Sequence, residues 1–542
     1  MVKAHRKIIE EYSALKEKLF VHEISFVSLI FVFTLLLRLT FFIFSDNFEP
    51  DGALRIMIAL NWLKTPHLII AGMWGPLHTY LIAFSIVVWN DPILSPQLVS
   101  LILGSLTVFP FFFLLKLLFN RNIALFSTLI FSVYTLQIRY SVLSLSEVPF
   151  TFFLFLSLCF FFKFKRDENK KYCFLAFACI SLNLACMLRY EGWIFIPLLT
   201  LFLLKEKKTH LLFFFVISMI FPAFWMIGNY YINADPLYSV HFAHTYQVVI
   251  AGYNEGYTLY TALYRLIAWP RILTLTLTPI VAIFAFCGLI YSLVKREYMD
   301  LLFIFSVLYI IFTIQCITGS MILNPRYTIM LGMFLIPYSV LGLERISNLF
   351  NRNKKLQKAV TIIFVLSLII SPLIISSASP YLSPLPTAPP DAKKISVWLK
   401  ENVKTEEKVI FDHYQWNQPY IALYSGLNLD NIYMVPGGKH IESVNNCDLV
   451  LLYVSKKIYF NTTDISKYSD GVRYMFYSLN KTDIDKYLDG VSYMVYSPEG
   501  KLSKIFNFSV NTKVEKKYNH TFECVYQTGH YEVFRICNNA SD

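Results

Sequence analysis

Apolar residues fill the first two thirds of the chain in long runs, and polar residues are mostly confined to the gaps between them. The runs are Ile24–Phe44, Leu98–Leu118, Ile123–Ile138, Val148–Phe162, Tyr172–Leu188, Gly192–Leu204, Leu211–Tyr231, Ile272–Val294, Leu301–Ile317, Thr328–Leu343 and Val360–Ile375. A helix crossing a hydrocarbon core of about 30 Å needs about 20 apolar residues. These eleven segments therefore predict a polytopic α-helical membrane protein. A further apolar stretch, Trp74–Trp89, has Trp at both ends, as rings seated at the membrane–water boundary do, and predicts an interfacial helix.

The pattern changes after Ile375. Residues 376–390 carry Pro380, Pro384, Pro386, Pro389 and Pro390, which makes them a semi-rigid spacer. Beyond it, DAKKISVWLKENV reads as an amphipathic helix capped by Asp391, KVIFD as a short strand, and Cys447–Val454 as a second buried strand. Helix alternating with strand predicts a small α/β domain over residues 391–542. Within it NTTDISKYSDGVRYMFYS, from Asn461, recurs as NKTDIDKYLDGVSYMVYS, from Asn480, with a period of 19. Two copies are too few for a solenoid, so the repeat reads as a duplicated hairpin or insertion.

Composition sharpens this picture. The 542 residues are 56% hydrophobic and 15% charged, against roughly 25% charged in soluble domains, and a soluble enzyme is excluded. The formal charge of +12 lies wholly before residue 376, where 30 Lys+Arg face 18 Asp+Glu, while the remainder has 18 of each. A neutral tail offers no electrostatic footprint for nucleic acid, which is excluded as a partner. The basic residues orient the spans instead. With residues 1–23 as a cytosolic leader and Trp74–Trp89 not crossing, 22 basic residues lie inside and 7 in outer loops. Letting Trp74–Trp89 cross would invert every later cluster against the positive-inside rule. The C-terminal domain is then external or lumenal. All five Asn-x-Ser/Thr sequons (Asn461, Asn480, Asn507, Asn519 and Asn539) fall in it, in keeping with that side. Six of the nine cysteines lie in or beside spans as small packers, and Cys524 and Cys537 are spaced to close a disulfide, leaving Cys447 odd.

Ionisable residues next to apolar spans mark functional sites, and here they gather on the outer loops. The first loop opens FSDNFEPDGALR, with Glu49 and Asp51, and continues to WGPLHTYL, with His78. The second is RYSVLSLSE, with Arg139 and Glu147; the third is RYEG, with Arg189 and Glu191; NPRY, with Arg326, precedes a late span. Arg38 lies inside the first span. Carboxylates suit a general base or a metal ligand, and arginine's planar fork suits phosphate. Helix-end anchoring at the interface is the other reading of the same residues.

This order of elements resembles the GT-C glycosyltransferase superfamily, and within it the protein O-mannosyltransferase-like and aminoarabinose-transferase-like enzymes, over roughly residues 24–375. The resemblance rests on an acid after span one, an interfacial helix, Ser-x-Ser-Glu, Arg-Tyr-Glu, Pro-Arg-Tyr and a soluble tail. It implies a GT-C-like helical fold, a sugar donor on a polyprenyl phosphate such as dolichyl phosphate, and transfer at the outer face of the membrane. The acceptor class (protein, lipid or glycan) stays open. By position Asp51 matches the catalytic first-loop aspartate, the general base, although relatives often carry Asp-Glu where this chain has Asp51-Gly52 with Glu49 upstream. Glu147 matches the second-loop acid. Arg189 and Arg326, with Arg38 and Arg139, are assigned to donor phosphate, and His78 and Glu191 to positioning donor or acceptor. One base with direct displacement implies inversion at the anomeric carbon. A divalent metal is an open question, and His241 and His244 (HFAH) supply a pair of ligands at most. An oligosaccharyltransferase-like reading would need a WWD-type motif, and the tail's two tryptophans, Trp398 and Trp416, are not so placed. A secondary transporter and a non-catalytic scaffold are the alternatives from other classes.

Overall fold

The computed structural model describes residues 2–245, 257–378, 382–412, 417–434, 491–497, 514–517 and 520–538, together with Leu488, Phe506 and Phe508. Each of the eleven predicted runs falls on a helix or a pair of helices. Six described helices are long and apolar enough to cross a membrane, or eight if each of two bent pairs is one span. Helix α1 (Val2–Phe44) joins leader and first span without a break. The first loop is itself largely helical, forming α2 (Pro50–Lys64) and α3 (Leu77–Trp89).

Helix α3 leaves and returns to one end of the bundle. Its start is pinned by a hydrogen bond from the Leu77 amide to the Met187 carbonyl (3.3 Å). Its end lies five residues before Leu94, where the helical run to Leu118 begins. The far end of that run carries Lys116, which with Arg121 pairs with Glu23 near the opposite end of the first span. Lys116 and Arg121, both predicted to be cytosolic, thus meet Glu23 at the end away from α3.

Two predicted spans are bent, Ile123–Ile138 by 54° between Arg121–Ser132 and Thr135–Ser141, and Ile272–Val294 more sharply. Ile272–Val294 is divided by a 117° bend between Leu259–Leu277 and Pro279–Lys295. Pro279 cannot extend the preceding helix hydrogen bonds, and Thr278, at φ +75°, turns the chain and accepts from the Val281 amide to cap the new helix. The second arm packs along the bundle. It crosses the helix Thr328–Leu349 at Gly288 and Gly342, where added Cβ atoms would stand 2.0 and 1.9 Å from the Tyr338 and Phe284 carbonyl oxygens. Backbone approach of this kind requires small residues.

The tail forms a helix (Pro390–Asn402), a short helix (Gln418–Tyr424) and a six-stranded sheet. Its strands are β1 (Val409–Phe411), β2 (Ile432–Met434), β3 (Tyr493–Tyr496), β4 (Val514–Lys517), β5 (His520–Thr528) and β6 (Tyr531–Asn538), in the order β2-β1-β3-β6-β5-β4. β1 runs parallel to β2 and β3, and the other pairings are antiparallel. Asp391 lies inside the first helical turn and Pro389 takes the cap position. Cys524 and Cys537 are free: Cys524 pairs across the ladder with Phe534 and Cys537 with Thr521, three rungs apart. The predicted strand Cys447–Val454, the five sequons and most of the repeat lie outside the described residues, although the end of the second copy supplies β3.

The tail is packed onto the first loop. Ile56, Met57 and Ala83 of α2 and α3 share a buried core with Ile421, Ala422 and Ile395. Asp46 Oδ2 accepts from the Ala388 amide (2.9 Å) and pairs with Lys393 (2.7 Å), and Lys64 pairs with Asp430 (2.8 Å).

Candidate active site

Three helices begin at the same end of the bundle with an acid in the first turn: Asp51 in α2, Glu147 in Glu147–Arg166 and Glu191 in Glu191–Phe202. Acids are favoured there by the partial positive charge of unpaired amides. Pro50 supplies the fixed φ suited to the first helical position of α2. At Gly52 α2 lies against the second loop, where even a Cβ would stand at ordinary contact distance, 3.4 Å, from the Ser144 carbonyl oxygen. Arg326 sits in a 3-10 turn (Pro325–Tyr327) whose start is fixed by Asn324, which accepts from the Arg326 amide at 3.0 Å.

These side chains form one network. Arg189 Nη1 donates to Glu147 Oε1 at 2.5 Å, and its Nη2 donates to Glu191 Oε1 at 2.6 Å. Arg326 Nη1 donates to Asp51 Oδ2 at 2.6 Å, with Nε 3.8 Å from Glu147 Oε1. Glu147 thereby joins two cations, while its Oε2 is buried without a hydrogen-bond partner. The Tyr327 ring lies 5.5 Å from the Arg189 guanidinium and 5.3 Å from that of Arg326. A small cleft is lined by Glu147, Arg189, Glu191, Arg326 and Tyr327, with Phe150, Phe312, Ile329 and Met330 among its apolar residues.

The other sequence-predicted residues divide. Glu49 stands at the α2 N-cap position; burial, reinforced by Asp51, pushes its carboxyl up to about 7 despite the opposing Arg326 and Arg139. His78 is buried on α3, and burial beside Arg55 and Arg189 holds its pKa well below the ordinary imidazole value, so it is neutral. Arg139 reaches the tail linker, donating to the Ser383 carbonyl at 3.0 Å. Arg38 is not brought to the cluster. It is fully buried in the bundle, with Nε donating to Ser141 Oγ at 3.0 Å and the guanidinium 5.3 Å from the Phe131 ring.

Two participants were not legible as site residues. Arg55 follows Asp51 by one helical turn on α2 and lies 4.3 Å from the Trp74 ring; the i, i+4 spacing would have paired them had the loop been read as a helix. Tyr327 belongs to the quoted Pro-Arg-Tyr, where the arginine drew the attention. As for a metal, no three His, Cys, Asp or Glu side chains among the described residues are grouped to hold an ion. His241 is occupied by Asp235 (2.7 Å) in an exposed position.

Comparison with known proteins follows this geometry. The dolichyl-phosphate-mannose-protein mannosyltransferase family matches residues 73–226, which include α3, Glu147 and Arg189. No curated protein matches the sequence. Among solved structures, ArnT from Cupriavidus metallidurans bound to undecaprenyl phosphate is 12% identical with a TM-score of 0.61, over 96% of this chain and 98% of that one. The chain shares the fold of ArnT. The archaeal oligosaccharyltransferase AglB from Archaeoglobus fulgidus, in complex with an inhibitory peptide and a dolichol-phosphate, aligns more loosely: 12% identity and a TM-score of 0.53, over 88% of this chain and 69% of that one. The ArnT alignment reaches beyond the helical bundle into the tail, since it spans nearly the whole of both chains.

Proposed function

We propose that this protein is an inverting glycosyltransferase that moves a sugar from a polyprenyl-phosphate donor to an acceptor at the outer face of the membrane. The observation that carries the reading is the cleft where Glu147, Arg189 and Arg326 converge beside apolar residues, with Asp51 paired to Arg326 next to it. A lipid-linked anion needs both surfaces, one cationic and one greasy. The ArnT-like fold and the family match support it, as does the undecaprenyl phosphate held by ArnT.

Asp51 takes the proton of the acceptor nucleophile as that atom attacks the anomeric carbon. The bond from that carbon to the phosphate oxygen breaks, and the polyprenyl phosphate leaves with the electron pair. Attack opposite the leaving group inverts the centre. Arg326, which touches Asp51, and Arg189, which is tied to Glu147, hold positive charge where phosphate charge develops; positioned donors of this kind contribute most in a water-poor site. Glu147 and Glu191 fix the arginines, and Glu49, shifted to about 7, is the second base within the same turn. The positive-inside charge count supports placing the site on the outer face, with Lys116 and Arg121 at the other end of the bundle.

The test is transfer of radiolabelled sugar from polyprenyl-phosphate donors in membranes holding the wild-type chain or Asp51→Asn at equal expression. Loss of label by about 10²–10⁴ establishes Asp51 as the base. Undiminished label retains the enzyme and moves the base to Glu49. No transfer from any donor sinks the reading and returns the transporter and scaffold.

A further inference from the structure

The arginines assigned to phosphate are already engaged. Arg189 is held by two carboxylates and Arg326 by Asp51 with Glu147 nearby. Each gives part of its donor capacity to the protein, and an incoming phosphate must share it. Arg55 is different. Among the described residues it forms no ion pair, and its Nε is buried without a hydrogen-bond partner. It is half-buried overall. Its guanidinium carbon lies over the Trp74 ring, 4.3 Å from the centroid, a contact that holds the head group while leaving its donors for a ligand.

Arg55 belongs to the same electrostatic cluster. It lies one turn from Asp51 on α2, and Glu147, Asp51, Arg189 and Arg326 all act on its charge. Burial lowers its pKa to about 10, and the carboxylates only partly oppose this. A guanidinium whose buried Nε has no partner is an unfavourable arrangement in the free protein, and an anion placed on it removes the deficit. His78, also buried, stands close enough to Arg55 for their charges to interact, and it is neutral, so it leaves the local field to the arginine.

We propose that Arg55 is a direct ligand of the donor's phosphate, the uncommitted cation to which the polyprenyl phosphate binds before and after transfer. This rests on the lipid-phosphate reading above. It divides the labour at the site: Arg326 and Arg189 shape the reacting end through their carboxylates, and Arg55, backed by Trp74, supplies the affinity.

The experiment compares the purified full-length chain with Arg55→Gln and Arg55→Lys, measuring affinity for a polyprenyl monophosphate and for the matching polyprenol without phosphate. A charge-assisted pair of this kind is worth about ten- to a hundredfold in affinity. The expected result is that loss for the phosphate with Arg55→Gln, a smaller loss with Arg55→Lys, which keeps charge without the fork, and no change for the polyprenol. Unchanged phosphate affinity in Arg55→Gln overturns the proposal, as does equal weakening of phosphate and polyprenol, which would make the residue structural. If Arg55→Gln does not fold, Arg55→Lys decides: wild-type phosphate affinity and donor KM overturn the assignment to a fork ligand. A wild-type chain that binds the phosphate through Arg55 but transfers no sugar leaves this inference standing and removes the enzymatic one. A wild-type chain with no preference for phosphate over polyprenol ends both.

Discussion

Glu147→Gln tests the network most directly, because it removes one charge and almost no volume. The side chain is 4% exposed and its Oε1 meets Arg189 at 2.5 Å and Arg326 at 3.8 Å. Breaking a buried pair usually costs 3–5 kcal/mol, since the surviving charge is left alone. Here neither arginine is abandoned: Arg189 keeps Glu191 at 2.6 Å and Arg326 keeps Asp51 at 2.6 Å. The loss should therefore approach that of one charge-assisted hydrogen bond, about 1.5–3 kcal/mol. The same substitution adds one net positive charge beside the cleft. At roughly 7 Å from a bound phosphate, with an effective dielectric constant of about 20, that is worth about 2 kcal/mol, or about thirtyfold tighter binding of polyprenyl phosphate. The variant should be less stable to heat in detergent, bind polyprenyl phosphate more tightly, and turn over more slowly because product leaves slowly. Thermal unfolding with and without lipid phosphate reads both effects. Weaker or unchanged binding of the phosphate would refute the reasoning, showing that Glu147 is not part of the field the lipid anion meets.

Other outcomes follow from the same geometry. Glu49 is shifted from the ordinary carboxylate value to about 7, so the folded protein retains its proton while the unfolded chain has released it. Stability from this group is present below the unfolded pKa and is lost as pH rises towards 7; Glu49→Gln should flatten that part of a stability–pH curve, and a melting series from pH 4.5 to 8 checks it. Asp46→Asn weakens the ion pair with Lys393, and limited proteolysis of the linker before the Pro390–Asn402 helix should become faster, with a stability loss of about 1 kcal/mol. Gly288→Ala places a methyl 2.0 Å from the Tyr338 carbonyl oxygen; two helix backbones must separate, so destabilisation of at least 1–3 kcal/mol is expected, read as a lower melting temperature and reduced yield of monodisperse protein.

Sequence and structure divided the work along physical lines. Apolar run length alone fixed the helical membrane class, because a bilayer tolerates few other backbones, and each of the eleven runs is helical. Counting charge separated the two ends of the bundle, since lysine and arginine clusters were dense enough to outweigh doubts about single boundaries. The carboxylates and arginines of the site were visible because a charge beside a span is rare. What remained hidden depended on geometry beyond sequence neighbours. Position in the chain cannot show that Arg38 turns into the bundle onto Phe131 while Arg326 reaches Asp51. Apolarity cannot show that Thr278 and Pro279 divide a run into two helices at 117°, because a bend is set by a few backbone angles. Cysteine spacing suggested a bond that strand register forbids. The first loop has no long apolar run before Trp74, and packing of α2 against α3 and the tail supports the helix that carries Asp51 and Arg55 one turn apart. The chemistry of this protein was thus written in its residue types, and the fold decided which of them meet.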